Sequence, residues 1–258
     1  MSFIHVVILG LVEGITEFLP ISSTAHLIIT SRLLNIPQTE FQKFFEVFIQ
    51  SGAILAVVFL YIQYIIKNPK VIKNIIISFI PTAVVGFLLH KVIKNYFFDS
   101  LRLIEVTMFS VGVLFIVFEL LVKNKKINLK KSINQLSVRH AIAVGIVQSL
   151  AVVPGVSRAG AVMLGMMGMG YKREESATYS FLLAMPTIFA ASAFDLYQSK
   201  QLLFSNLSNI WFLVFGFLIS FVFAYISIKW LINYLKKNTL SGFGIYRVLI
   251  SLVLLFIK

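Results

Sequence analysis

Apolar residues dominate this chain in long runs, and polar residues gather in the short gaps between them. A helix needs roughly 20 apolar residues to cross the hydrocarbon core of a bilayer. Six runs approach or exceed that length: about 41–66, 71–93, 101–122, 174–197, 208–235 and, marginally, 240–257. They predict six transmembrane helices. Two further regions, 1–34 and 136–170, are also apolar, but each is broken near its middle. The breaks are Pro20-Ile21-Ser22-Ser23-Thr24 and Pro154-Gly155-Val156-Ser157-Arg158. Proline stops a helix, and neighbouring Gly and Ser favour a turn. Each half-segment is roughly 10–18 residues long, which suits a re-entrant hairpin better than a full crossing. Irregular backbone at membrane depth is stable only inside protein or beside a water-filled cavity. Two such breaks predict a cavity.

The halves of the chain resemble each other. Gly10-x-x-Glu13 followed by Ser22-Ser23 matches Gly145-x-x-Gln148 followed by Ser157-Arg158 at a constant offset of 135, with the prolines one position out of register. A second match, at an offset of 134, pairs Phe45-Glu46-Val47-Phe48-Ile49-Gln50 through Ala56 with Tyr179 through Ala190. The expected fold is therefore an all-α polytopic membrane protein, six transmembrane helices plus two re-entrant helical hairpins in an inverted internal repeat. It forms a single membrane domain over 1–258, with halves 1–122 and 136–258 joined by a basic cytoplasmic loop, 123–135.

Counting crossings gives the orientation. Three spans separate the hairpins, and an odd number inverts the second half. The side holding the amino end carries Arg32, Lys43, Lys91, Lys94, Arg102, Lys200 and Lys258, and the other side carries twice as many Lys and Arg residues. Cytoplasmic loops are the basic ones. Both termini are thus expected outside, with the first hairpin entering from outside and the second from the cytoplasm. Their tips can then meet near the midplane. Arg158 and Arg247 lie within apolar segments and do not enter the count.

Composition agrees with this class. The chain is 59% hydrophobic and only 13% charged, with a mean hydropathy of +0.92, unlike a soluble domain. It has no Cys, which excludes disulfides and thiolate metal sites. The amino end, Met1 to Val12, has only His5 before its apolar run and no small-residue cleavage site, so no cleaved signal peptide is expected. A net charge of +13 raises nucleic acid as a partner, but the basic residues sit in short loops between spans and not on one folded face. No nucleic-acid partner is expected; the membrane is.

Chemistry concentrates at the two breaks. Glu13 and Glu17 stand one helical turn apart among Leu9, Leu11, Val12, Ile15, Phe18 and Leu19. Acids in such surroundings are costly and mark function. Their spacing fits an oxygen-ligated divalent metal or a carboxylate pair sharing a proton. Ser22, Ser23, Thr24 and His26 follow. Ser22 or Ser23 can cap the helix that begins near Thr24, and a helix start also offers N–H groups to phosphate. His26, one turn beyond Ser23, is placed to take its proton or to protonate a leaving group. Gly155 allows close backbone approach to an anion beside Ser157, and Arg158 matches phosphate oxygens with its planar fork or pairs with Glu13 or Glu17. His5, His90 and His140 lack such company and read as structural. The methionines at 163, 166, 167 and 169 read as flexible packing beside a lipid tail.

Glu13-Gly14-Ile15-Thr16-Glu17-Phe18-Leu19-Pro20-Ile21-Ser22-Ser23-Thr24-Ala25-His26 and Pro154-Gly155-Val156-Ser157-Arg158-Ala159-Gly160 resemble the two signature segments of the bacterial undecaprenyl-diphosphatase, or bacitracin resistance protein, family. The resemblance extends to Phe45 through Ala56 and Phe181 through Tyr197. It implies hydrolysis of undecaprenyl diphosphate to undecaprenyl phosphate and inorganic phosphate, recycling the lipid carrier of cell-wall synthesis and conferring bacitracin resistance. It also implies a polyprenyl diphosphate partner, a magnesium or calcium ion, and a plasma-membrane site open to the outer face. Glu13 and Glu17 match the acidic pair, Ser23 the nucleophilic serine, His26 the histidine and Arg158 the phosphate-binding arginine; Ser22, Thr24, Gly155 and Ser157 would touch substrate. Ala25 and Ala159 depart from the commonest pattern, where Gly and Ser stand; this bears on fine substrate contacts and not on the reaction. A homodimer is compatible with the layout. The rival class is a transporter or flippase of an anionic polyprenyl lipid, which would use the same cavity.

Overall fold

The computed structural model describes residues 1–92, 100–204 and 207–255, and the side chains of 90–92, 199–204, 207 and 208 are outside that description. Of the basic residues weighed for orientation, Lys94 and Lys258 fall outside the described residues, as do the side chains of Lys91 and Lys200; so does the side chain of His90.

Among the described residues the regular elements are helices: α1 Phe3–Thr16, α2 Ser23–Leu33, α3 Glu40–Lys67, α4 Pro69–Val92, α5 Leu101–Lys123, α6 Val138–Ser149, α7 Arg158–Gly168, α8 Arg173–Phe204, α9 Leu207–Leu235 and α10 Ser241–Leu254. Polar side chains fix several starts. Thr39, Ser100 and Ser137 each accept a hydrogen bond from the backbone N–H three residues on, at 3.2 Å, which satisfies a donor the helix cannot. Helices α3, α4, α5, α8 and α9 are long and apolar enough to cross a membrane. Their outer faces stay apolar where nothing covers them, as at Phe59, Ile80, Phe87, Leu114 and Leu218. A water-facing protein does not expose bands of this size; the chain is an all-helical, multi-pass membrane protein. The sixth expected crossing is not among the five. The run at 240–257 forms α10, whose 14 residues rise only about 21 Å at 1.5 Å per residue.

Both apolar regions with a break become pairs of short helices, α1–α2 and α6–α7, neither member long enough to cross. Helix α1 packs on α9, α6 packs on α4, α3 touches both α8 and α9, and α5 pairs with α10. Small residues allow these approaches, as membrane helices require in the absence of a hydrophobic drive between them. Where α5 crosses α10, Gly112 and Gly244 lie back to back. A side chain on Gly112 would stand 2.9 Å from the Gly244 carbonyl oxygen, and one on Gly244 would stand 2.8 Å from that of Gly112.

Two polar clusters tie the helices at the level of the loops. Glu119 on α5 accepts hydrogen bonds from Arg173 at the start of α8 and from the backbone N–H of Leu240 before α10. Glu119 is buried and Arg173 only partly exposed, so the carboxylate inside the protein is matched by a cation and not stranded. The basic segment 123–135 is held against the α7–α8 turn: the N–H groups of Lys130 and Lys131 donate to Gly170 O, and that of Ile133 donates to Glu175 at 2.8 Å.

Candidate active site

Helix α1 stops where Pro20 forbids its continuation, and the chain turns through Glu17–Ile21. Ser22 then takes a left-handed conformation (φ 73°), and its hydroxyl accepts from the N–H of Ala25 as α2 begins. The second break repeats this turn. Ser157 has φ 72° and accepts from the N–H of Gly160 at 3.1 Å as α7 begins. A non-glycine residue at positive φ is strained and persists only where its surroundings hold it. Two serines 135 positions apart share that strain and the same capping bond.

The helices starting at these serines aim their N-termini into one cavity of ≈ 480 Å³, lined at this end by Ser22, Ser23, Thr24, Gly155, Ser157 and Arg158, with Glu17 beside them. The carboxylate of Glu17 is the hub. One oxygen accepts from the Ser23 hydroxyl across the break. The other accepts from Arg158 Nη2 at 2.7 Å, in an ion pair with little exposure on either side. Arg158 Nη1 donates to Ser180 O at 3.0 Å, and its guanidinium lies over the Phe18 ring, which Phe181 meets edge-on. The arginine is thus oriented by two acceptors and a ring face, with its remaining donors available.

Glu13 lies one turn below, fully buried beside the Glu17 carboxyl, and neither of its carboxylate oxygens meets a charged or neutral N–H or hydroxyl donor among the described residues. A buried acid in that condition demands a proton or a cation. Gly155 has φ +89°, and a side chain there would collide with the Thr107 hydroxyl, which donates to Pro154 O at 2.7 Å. Only glycine fits this turn.

Both ring nitrogens of His26 have partners outside the Glu17 cluster. Its Nδ1 lies 2.7 Å from Ser22 O. A carbonyl only accepts, so Nδ1 carries the hydrogen. Its Nε2 lies 2.7 Å from the Tyr246 hydroxyl, and the two rings are stacked. With both nitrogens engaged, the imidazole ties α2 to α10, and the Ser23 hydroxyl donates to Glu17. A side chain on the first turn of a helix leans back toward the helix start, here toward Ser22 O.

Three residues that the sequence reading did not assign also belong to the region. Gln148, in the repeat position of Glu13, donates to Thr82 at 2.7 Å and to Thr187 at 3.3 Å in the cavity wall. Its place in the repeat was the available signal. Beyond this polar group the walls turn apolar, with Phe79, Ala83, Phe87 and Ile188. Phe87 is 79% exposed, so the cavity reaches the outer surface of the helices.

The sequence model described as bacitracin resistance protein BacA matches residues 6–253. The chain belongs to the BacA family. Relatives named undecaprenyl-diphosphatase include one from Aquifex aeolicus (strain VF5), 45% identical over 247 residues that cover 96% of this chain and 95% of the relative. Another, from Sulfurihydrogenibium sp. (strain YO3AOP1), is 44% identical over 253 residues covering 98% of each. A third, from Wolinella succinogenes, is 39% identical over 256 residues, 99% of this chain and 98% of the relative. The BacA family match spans both breaks and every residue of the cluster around Glu17.

Proposed function

We propose that this chain hydrolyses undecaprenyl diphosphate to undecaprenyl phosphate and inorganic phosphate, with Ser23 as nucleophile and Glu17 as its base. The observation that carries this reading is one carboxylate holding both a serine hydroxyl and an arginine at the polar end of a cavity whose far walls are apolar. The names of the relatives support the substrate. Hydrolysis in this way makes the chain a lipid-carrier recycling enzyme and accounts for bacitracin resistance.

The diphosphate sits against the starts of α2 and α7, where unpaired N–H groups and helix dipoles favour anions. Ser22, Thr24, Gly155 and Ser157 border it. The Arg158 donors not engaged by Glu17 and Ser180 O meet the terminal phosphoryl oxygens, and its charge offsets the negative charge that develops during in-line transfer. The Ser23 oxygen bonds to the terminal phosphorus, its proton passes to Glu17, and the bridging P–O bond breaks to release undecaprenyl phosphate. Water then cleaves the phosphoserine. His26 serves by fixing the start of α2 against α10.

A divalent cation fits the acids present. Among the described residues no cluster of three or more metal-ligating side chains exists, but magnesium commonly takes one or two carboxylates and completes its shell with substrate phosphate and water. The unpartnered oxygens of Glu13 are suited to such an ion, and Glu13 and Glu17 would hold magnesium or calcium. Bound there, it would neutralise diphosphate charge as a Lewis acid. Glu13→Gln is expected to raise the metal concentration needed for half-maximal phosphate release by roughly tenfold or more. Unchanged metal dependence in that variant would remove Glu13 from the metal site.

The layout proposed is an inverted repeat, 1–122 against 136–258, with α10 as a sixth, short crossing and α1–α2 and α6–α7 as hairpins from opposite faces. The matched turns at Ser22 and Ser157 and the back-to-back glycines of α5 and α10 support it. Both termini and the site then face outward. Purified protein in detergent tests the reaction: phosphate release from a polyprenyl diphosphate, abolished by chelator, is expected. A pure transporter would release none, because transport has no meaning without compartments.

A further inference from the structure

Arg247 lies in the middle of α10 and is wholly buried. Among the described residues it pairs with no carboxylate. Its Nη1 donates to Pro20 O at 3.1 Å, its Nη2 donates to Gly155 O, and its guanidinium lies over the Phe115 ring at 5.7 Å. Pro20 and Gly155 are equivalent positions of the repeat, 135 residues apart. Each stands three residues before a member of the site, Pro20 before Ser23 and Gly155 before Arg158. One planar guanidinium therefore joins the carbonyls of both breaks.

A lone buried charge is costly, and an arginine needed only for packing would be replaced without loss by an apolar residue. Here the fork meets two backbone oxygens that their own broken helices leave without partners. Its rigid plane fixes the separation of those oxygens as a flexible ammonium would not. Gly112 makes room for this, because a side chain there would stand 3.0 Å from Arg247 Cβ. We propose that Arg247 is a positioning residue that clamps the two breaks together, setting Arg158 in register with Ser23 for attack. It touches no reacting atom and acts through the turns. This inference rests on the phosphatase reading only for its kinetic readout.

The test uses Arg247→Met, which keeps bulk and removes the fork, and Arg247→Lys, which keeps charge and reaches fewer oxygens. In Arg247→Met, kcat for phosphate release is expected to fall about a hundredfold, the cost of a small misplacement at a reacting centre. KM should stay within about threefold, since the anion-binding groups remain. Arg247→Lys should lose roughly tenfold in kcat. A merely structural role would lower the yield of folded protein and leave kcat per folded molecule unchanged. The second readout is independent of activity. In this cysteine-free chain, nitroxides at Leu33→Cys and Gly168→Cys, exposed at the ends of α2 and α7, report the separation of the two hairpins by pulsed electron paramagnetic resonance. The parent should give one narrow distance distribution, and either Arg247 variant a broadened or shifted one. Parent-like kcat in Arg247→Met, or parent-like distances in both variants, would overturn the clamp. If Arg247→Met does not fold, Arg247→Lys decides alone, with parent-like kcat or distances counting against it. A parent protein that releases no phosphate would sink the proposed reaction, while the label distances would still decide the clamp.

Discussion

Ser23→Ala is expected to reduce phosphate release from polyprenyl diphosphate by on the order of 10⁴-fold, with little change in KM. The hydroxyl it removes is the one poised on Glu17, while Arg158 and the helix starts that bind the anion remain. The fold should tolerate the change, since α2 is capped by Ser22 and not by Ser23. Quenched-flow detection of a phosphorylated protein provides the companion measurement: parent enzyme labels at Ser23, and Ser23→Ala does not. A variant retaining more than about a tenth of parent turnover would point to direct attack by water, with Glu17 as its base.

Arg158→Lys is the second large effect. Lysine keeps the charge but has one nitrogen, where Arg158 uses two to hold Glu17 and Ser180 O. Transition-state charge on the transferring phosphoryl group loses the Arg158 donors that those two acceptors leave free, and kcat/KM is expected to drop about 10²- to 10³-fold. Stability separates this variant from a harsher one. Arg158→Met leaves Glu17 buried without its cation, which costs about 3–5 kcal/mol, so its melting temperature in detergent should fall well below that of Arg158→Lys. Near-parent kcat/KM in Arg158→Lys would mean that a point charge suffices there.

Much of this arrangement was legible before any coordinates. Runs of apolar residues located the five long helices, because span length is set by bilayer thickness and leaves a strong signal. Pro20 and Pro154 located the breaks, and the offset of 135 put Ser22 and Ser157 in the same place, where both adopt the same strained turn. Less could be read where contact depends on how short helices lean. The spacing rule that linked Ser23 to His26 applies within one helix, whereas the partner of Ser23 is Glu17, on the far side of the turn. Tyr246, the partner of His26, is 220 positions away. Arg247 was visible only as a charge inside an apolar run. Its partners are main-chain oxygens 227 and 92 positions away, and no side-chain pattern announces a carbonyl. The last apolar run, marginal in length, holds a helix over Ser241–Leu254 within 240–255.

The exposed Phe87 at the rim of the cavity has a consequence for how a long isoprenoid is handled. Desorbing such a tail into water would cost about 0.8 kcal/mol for each methylene, an insuperable barrier for a chain of many units. A doorway opening sideways onto acyl chains avoids that step, so the headgroup alone travels while the hydrocarbon stays dissolved among lipids. Turnover should then follow the mole fraction of substrate within the micelle or bilayer, and dilution with inert detergent should slow it at constant bulk concentration.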